Sequence, residues 1–164
     1  MKQMSAGYFS AIVTLALLTS SSVSLAQHPS LDNKQTVEQS KSQSDVDSTA
    51  TLRQLGQGVL RYLRARGRFP QLKNPLDYEA RRQFYPYVRD ERWFLHPTTE
   101  EPYLFNEILS HKNPAHIPNP QSFAVFYESK PGADELRGVL FLDGHVERVK
   151  AAHWKKIKQA SKID

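Results

Sequence analysis

The hydrophobic positions of this chain change their period along its length. Leu52, Leu55, Val59, Leu60 and Leu63 recur at helical spacing and form one apolar stripe, while Arg53, Arg61, Arg64 and Arg66 fall largely off it. The spacing predicts an amphipathic helix that begins near Thr51, with Thr51 or Ser48 as its cap, and stops at Gly67 with Pro70 just beyond. Gly56 and Gly58 lie inside it. Each costs about 1 kcal/mol of helix propensity relative to Ala, so their presence predicts close packing of another element or a strained helix. The middle of the chain is irregular. Asp77 to Val88 reads as a helix with an Asp cap, interrupted by Pro86. Glu91 to Leu95 is a short apolar segment that stops at His96-Pro97. Tyr103 to Leu109 is a short strand or helix, and Lys112 to Pro120 is a Pro-rich loop.

Beyond the loop the period shortens. Ser122 to Glu128 is the first clear strand, and Ser129 to Leu136 is a turn-rich connection. Residues 139–149 are apolar and alternating on both sides of Asp143-Gly144, a strong hairpin signal. A type I′ turn there, with φ > 0 at both central residues, sets Leu142 against His145, Phe141 against Val146 and Leu140 against Glu147. Ala151 to Ser161 reads as a short basic helix with Trp154 and Ile157 turned inward. The fold class expected is α+β: an N-terminal amphipathic helix packed on a small antiparallel sheet, an irregular Pro-rich middle, and a short C-terminal helix.

The N-terminal part reads differently. Lys2, the apolar run Ala11 to Leu18 and the small residues Ser24-Leu25-Ala26 make residues 1–26 a secretory signal peptide. The run is well short of the ~20 residues a membrane span needs, so no stable span is expected in the mature chain; a retained N-terminal anchor is the alternative. Residues 27–50 are polar, without an aromatic residue, and read as a flexible linker. Residues 51–164 form the one domain. The chain has no Cys, which removes disulfides, thiolate metal sites and a lipoprotein anchor. Its formal net charge of +5 is mild and reads as a solvated basic surface, compatible with attraction to anionic polymers or cell surfaces. The expected location is secreted or periplasmic.

Candidate chemistry is sparse. Asp143, His145 and Glu147 sit close in sequence, with His145 and Glu147 on one strand face. Turn chemistry accounts for Asp143 and Gly144, and His145 is the first residue of the return strand. One alternative is a small metal-assisted hydrolase that uses His145 with Glu147, or the loop histidines His111 and His116 with His96. Asp134, Glu135 and Asp143 are the nearest acidic group for Ca²⁺, without the dense oxygen-ligand loop that ion takes. No zinc-protease helix motif, nucleophile elbow or Gly-rich phosphate loop occurs. No catalytic residue, no resident metal and no cofactor are therefore expected, and the chain is read as a non-enzyme. Arg81, Arg82, Arg89 and Arg92 interleave with Phe84, Tyr85, Tyr87, Trp93, Phe94, Tyr103 and Phe105. In an exported chain this argues against nucleic acid and for aromatic residues in the core with solvated arginines around them. Arg89, Arg92 and Trp93 are the candidate surface for a protein partner.

The phrase Leu52-Arg53-Gln54-Leu55-Gly56-Gln57, followed by Tyr62-Leu63 and Gly67-Arg68-Phe69-Pro70, resembles the segment after the membrane helix in prepilin-like proteins of the H-X9-DG type, relatives of the type II secretion pseudopilins. Val139-Leu140-Phe141-Leu142-Asp143-Gly144-His145-Val146 is similar to the phrase near their ends. Trp93-Phe94-Leu95-His96-Pro97 resembles their aromatic-Cys-Pro phrase, and Tyr103-Leu104-Phe105-Asn106 their Tyr-x-x-Asn phrase. The resemblance spans about residues 51–149. It departs at Ala133, where the family has His, at Leu95, where it has Cys, and in lacking the prepilin cleavage site and long apolar helix. It implies a pilin-like globular head with a binding or assembly role at the cell envelope, without implying a filament.

Overall fold

A computed structural model describes residues 32–164, with side chains from Ser48 onward. The signal peptide expected at 1–26 lies outside the described residues, as does the start of the expected linker. The first helix, α1, runs Asp32–Arg66. It thus takes in residues 32–50, which composition assigns to a linker, and Ser48 of that segment is fully buried. The segment holds no Gly or Pro. Too little apolar surface to build a core does not stop a helix whose far half is already packed, because propagation adds one hydrogen bond per residue fixed. Neither Ser48 nor Thr51 caps the helix, since both lie well inside it. Its end falls where expected: Gly67 takes φ +71°, and its N–H reaches the Leu63 carbonyl at 2.8 Å.

Leu52, Leu55, Val59, Tyr62 and Leu63 carry α1 onto the core. The two glycines mark close approaches. A Cβ at Gly56 would lie 2.6 Å from Leu140 Cδ1, and one at Gly58 would lie 2.5 Å from Val88 Cγ2 and 3.2 Å from the Tyr87 carbonyl oxygen. After α1 the chain makes a five-residue helix, α2 (Tyr78–Arg82). The Asp77 carboxylate caps it by accepting from Ala80 N–H at 3.1 Å while also taking Lys73 N–H at 2.8 Å. Single 3₁₀ turns follow at Tyr85–Tyr87 and Glu91–Phe94, the first holding Pro86. They lay Phe84, Val88 and Phe94 against α1, and Phe84 meets Tyr62 at 4.5 Å between ring centroids.

Four strands form one antiparallel sheet in sequential order: β1 (Leu104–Phe105), β2 (Ala124–Tyr127), β3 (Arg137–Phe141) and β4 (Val146–Val149). The α+β class is as expected, with one strand more than the pattern suggested. Tyr103 to Leu109 resolves into β1 and a 3₁₀ turn at Glu107–Leu109. On the α1 side, Phe105, Phe126, Leu140 and Leu142 join the main core. On the other side, Ala124, Tyr127, Val139, Phe141 and Val149 form a second cluster under Ile157 of the last helix, α3 (Ala151–Ser161). Both faces are covered, so β2 is buried at every residue rather than at alternate ones. A register shift between Ala124 and Phe126 places the bulge.

The hairpin between β3 and β4 forms, but one residue out of the expected register. Leu140 pairs with Val146 and Val139 with Glu147. Phe141 N–H bonds the His145 carbonyl at 2.9 Å, and Gly144 N–H bonds the Phe141 carbonyl at 2.9 Å. The loop is therefore three residues, Leu142-Asp143-Gly144. Among the three only Gly144 has positive φ, at 94°. That is a type I turn closed by a Gly in the left-handed region, rather than the type I′ turn expected. Core packing decides it: this register sets Val146 rather than Glu147 opposite Leu140 on the α1 face, where Leu140 seats against Gly56.

Candidate functional site

The densest polar constellation lies between α1 and the sheet. Glu128 follows β2 directly, and its N–H bonds the Gly138 carbonyl at 3.0 Å. Its side chain turns under α1 and is buried. One carboxylate oxygen, Oε2, accepts from Gly138 N–H at 2.9 Å. The other, Oε1, accepts from Ser48 Oγ of α1 and lies 3.6 Å from Arg148 Nη1 and 3.8 Å from His96 Nε2. The Glu128 carbonyl accepts from the Arg137 guanidinium. Gly138 is required here by space: a Cβ would stand 2.7 Å from Glu128 Oε1 and 2.9 Å from Leu52 Cδ1.

The surrounding groups are held in turn. Arg148 forks onto Asp134 through Nη2 at 2.8 Å and Nε at 3.2 Å. Burial would raise the Asp134 pKa, but this fork and the Leu136 N–H outweigh it and hold the carboxyl below its usual value. Tyr103 OH lies 3.3 Å from Ser48 Oγ and donates to the Ser48 carbonyl at 3.4 Å. Burial pushes the Tyr103 hydroxyl far above its usual range, so it stays a neutral donor. His96 Nδ1 accepts from the Thr98 and Thr99 N–H groups, each at 3.2 Å. We assign the proton of the neutral ring to Nε2, on the side of Glu128.

A hydroxyl, a carboxylate and an imidazole so arranged have the ingredients of nucleophilic catalysis. Ser48 and Tyr103 are both wholly buried, and no substrate reaches Ser48 Oγ in this arrangement. What the cluster does is fasten. It ties α1 to β2, β3 and β4 and to the loop at His96. A second tie holds α3: Asn106 Nδ2 donates to the carbonyls of Ala124 at 3.0 Å and Ser161 at 3.1 Å, and Ser161 Oγ accepts from Ala124 N–H at 2.8 Å. Tyr103 and Asn106, the two ends of the Tyr-x-x-Asn phrase, thus anchor the two helices on opposite faces of the sheet.

The residues singled out by sequence fall elsewhere. Asp143 Oδ1 accepts from His145 N–H at 3.1 Å and sits 2.6 Å from His145 Nδ1. The His145 ring stacks on Phe141 with centroids 4.2 Å apart. Glu147 shares that face but lies 3.5 Å from His153 Nδ1. His111 and His116 are exposed in separate turns, while His96 joins Glu128. Among the described residues no group of three or more His, Asp or Glu is placed to hold a metal ion. Asp134 is engaged by Arg148, Glu135 is exposed, and Asp143 is in the hairpin, so the three do not gather for Ca²⁺. Arg92 pairs with Asp90 at 2.7 Å, Arg89 is exposed, and Trp93 is half-buried against the core. Arg81 is buried, with Nη2 on the Tyr103 carbonyl and no partner for Nε.

Ser48, Glu128, Gly138 and Arg148 escaped the sequence reading. Their one local signal is a carboxylate closing the apolar run Phe123 to Tyr127, with a Gly opening the next strand. Compared with family models, with curated proteins and with solved structures, the chain matches none.

Proposed function

We propose that this chain is an exported, non-enzymatic, pseudopilin-like domain that works by binding or assembly at the cell envelope. The observation that carries the reading is the arrangement of α1. A single 35-residue helix packs its C-terminal half on an antiparallel meander and ends at a Gly followed by a Pro-rich, irregular segment. A pilin-like head presents the same order of parts. The Asp143-Gly144 hairpin, the Tyr103 and Asn106 anchors, and the leader-like residues 1–26 support it in the same direction. Export is tested by expressing the full chain in a bacterial host with an outer membrane, fractionating it and sequencing the N-terminus. A new terminus at Gln27 in the envelope or medium is expected. An uncleaved chain in the cytosol would refute the reading, as would chelator-sensitive hydrolysis by the purified protein, which would favour the hydrolase alternative.

One surface favours a protein partner through the neighbourhood of segment 81–105. Leu76 and Tyr78 are the exposed large hydrophobic side chains among the described residues, and Tyr78 meets Tyr85 edge-on at 6.5 Å. Photo-crosslinking from position 78 or 89 in cells is expected to capture an envelope protein, and Leu76→Ser with Tyr78→Ser to abolish capture.

A further inference from the structure

We propose that the outer face of α3 is an adsorption surface for anionic phospholipid bilayers. The helix carries His153, Lys155, Lys156 and Lys158, with Lys150 just before it and Lys162 just after, and no acidic residue within it. At helical spacing Lys155 and Lys156 fall on the side away from Ile157 and Ser161, Lys162 follows as the left-handed C-cap, and all three are exposed. The helix's own electrostatics explain only part of this. Lys158 and Lys162 complement the negative C-terminal end. Lys150 stands at the N-cap, without a side-chain cap, where the positive end repels it. None of the five lysines has an ion-pair partner among the described residues; the acidic groups nearest in sequence are Glu147, which faces His153, and Asp164.

The inner face of α3 is fixed, so the lysines cannot turn inward. Trp154 lies 5.0 Å from the Tyr127 ring, and the Arg137 guanidinium sits 4.8 Å from the Trp154 ring centroid. This also turns the helix's one aromatic residue away from any ligand, which removes the stacking platform that single-stranded nucleic acid uses. The charges are lysine points rather than arginine forks, and they stand on a convex helix rather than in a groove. Such a face matches the diffuse negative potential of a lipid surface better than a discrete phosphate. The opposite side of the molecule carries arginines instead: Arg61 on α1 is bonded to the Tyr87 carbonyl through Nε at 3.0 Å and Nη2 at 2.8 Å, while Arg53, Arg64 and Arg66 are exposed, so substitutions on α1 are the necessary comparison. This affinity requires neither export nor a pilin-like partner.

Vesicle co-sedimentation of the full chain tests it, comparing phosphatidylglycerol–phosphatidylcholine vesicles with pure phosphatidylcholine at low and raised salt. Residues 1–26 contribute equally to every variant, so the comparison isolates α3. Binding is expected to favour the anionic vesicles and to fall with salt. Lys155→Gln/Lys156→Gln/Lys162→Gln should lower the anionic partition by about a hundredfold, and Lys156→Gln alone by about fivefold, at the usual contribution of one basic residue near such a surface. Arg53→Gln/Arg64→Gln, on α1, should leave it unchanged. Circular dichroism guards against misfolding of the triple variant, and the single variant carries the test if the triple fails. The proposal is overturned if the single and triple variants bind as wild type does, if the α1 variant loses binding equally, or if the chain binds DNA or heparin more tightly than the vesicles.

Discussion

Ser48→Ala separates two pictures of residues 32–50. If they are a solvated linker, removing one hydroxyl changes stability by less than about 0.5 kcal/mol, or stabilises slightly because Ala is the better helix former. In the structure, Ser48 Oγ instead donates to a buried carboxylate and shares the Tyr103 hydroxyl. Without it, Glu128 Oε1 keeps only the more distant Arg148 guanidinium at 3.6 Å and the His96 ring at 3.8 Å. Loss of a hydrogen bond to a charged group costs about 1.5–3 kcal/mol, and the gain in helix propensity returns about 0.5 kcal/mol. The net is a destabilisation of about 1–2.5 kcal/mol. With a urea m-value of about 1–3 kcal/mol/M, this lowers the unfolding midpoint by about 1 M at unchanged m. The assay is urea unfolding followed by circular dichroism and Trp fluorescence. Exposed Gln54→Ala on the same helix serves as control, and a cycle with Glu128→Gln measures the coupling. A midpoint for Ser48→Ala equal to or above wild type, or additivity with Glu128→Gln, would refute the clasp.

Other outcomes follow from the same geometry. Gly58→Ala should destabilise by about 1–2 kcal/mol although Ala is the better helix former, because its Cβ meets both Val88 Cγ2 and backbone at Tyr87; thermal unfolding checks it. Gly144→Ala should cost about 1–3 kcal/mol, since φ is 94° and the new Cβ would lie 2.6 Å from Leu60 Cδ1, whereas Asp143→Asn should stay within about 1 kcal/mol because Asn suits the same turn. Asp77, Asp134 and Asp143 are all held below the usual carboxylate range, burial being outweighed in each by hydrogen bonds to N–H groups or to Arg148 or His145. Carboxyls whose folded pKa lies below the unfolded one stabilise the fold fully above about pH 5 and lose that contribution as the pH falls through the folded values. The urea midpoint should therefore drop between pH 5 and pH 2 by about the linkage these shifts imply, and Asp134→Asn should flatten the drop.

Local chemistry was well written in the sequence. Gly67 as a helix stop, the Asp77 cap and the two glycines pressed against neighbours each need only a few residues of context, and each sits where the pattern put it; the helix expected to run from Asp77 to a break at Pro86 instead ends at Arg82, with Pro86 inside the 3₁₀ turn that follows. What the pattern could not carry was pairing across the chain. The Asp-Gly signal announced a hairpin but not its loop length, because two- and three-residue loops both accept these residues; the choice fell to Val146, rather than Glu147, meeting α1 beside Leu140. β1 is two residues long and joins the sheet only because β2 is there to receive it. Glu128 and Ser48 are eighty positions apart, and neither looks unusual until the fold closes over both. The buried polar cluster was illegible for that reason, while Asp143 with His145 and Glu147 with His153 are close neighbours in sequence that satisfy one another nearer the surface.

The distance in sequence between α1 and what it packs on has a consequence for how the chain comes to be. The hairpin β3–β4 can close by itself, and β1 to β4 pair in sequential order. The apolar stripe of α1 has only part of its partner nearby, in Phe84, Val88 and Phe94. Leu52 and Leu55 leave the ribosome first, yet Leu140 and Arg148 appear only near the end of synthesis. Until then an amphipathic helix stands with part of its core side bare, as attractive to a chaperone or a protease as to its eventual sheet. A chain cut short before Phe141 should keep its helix but never fully cover it, and degradation rather than partial function is the fate to expect for such fragments.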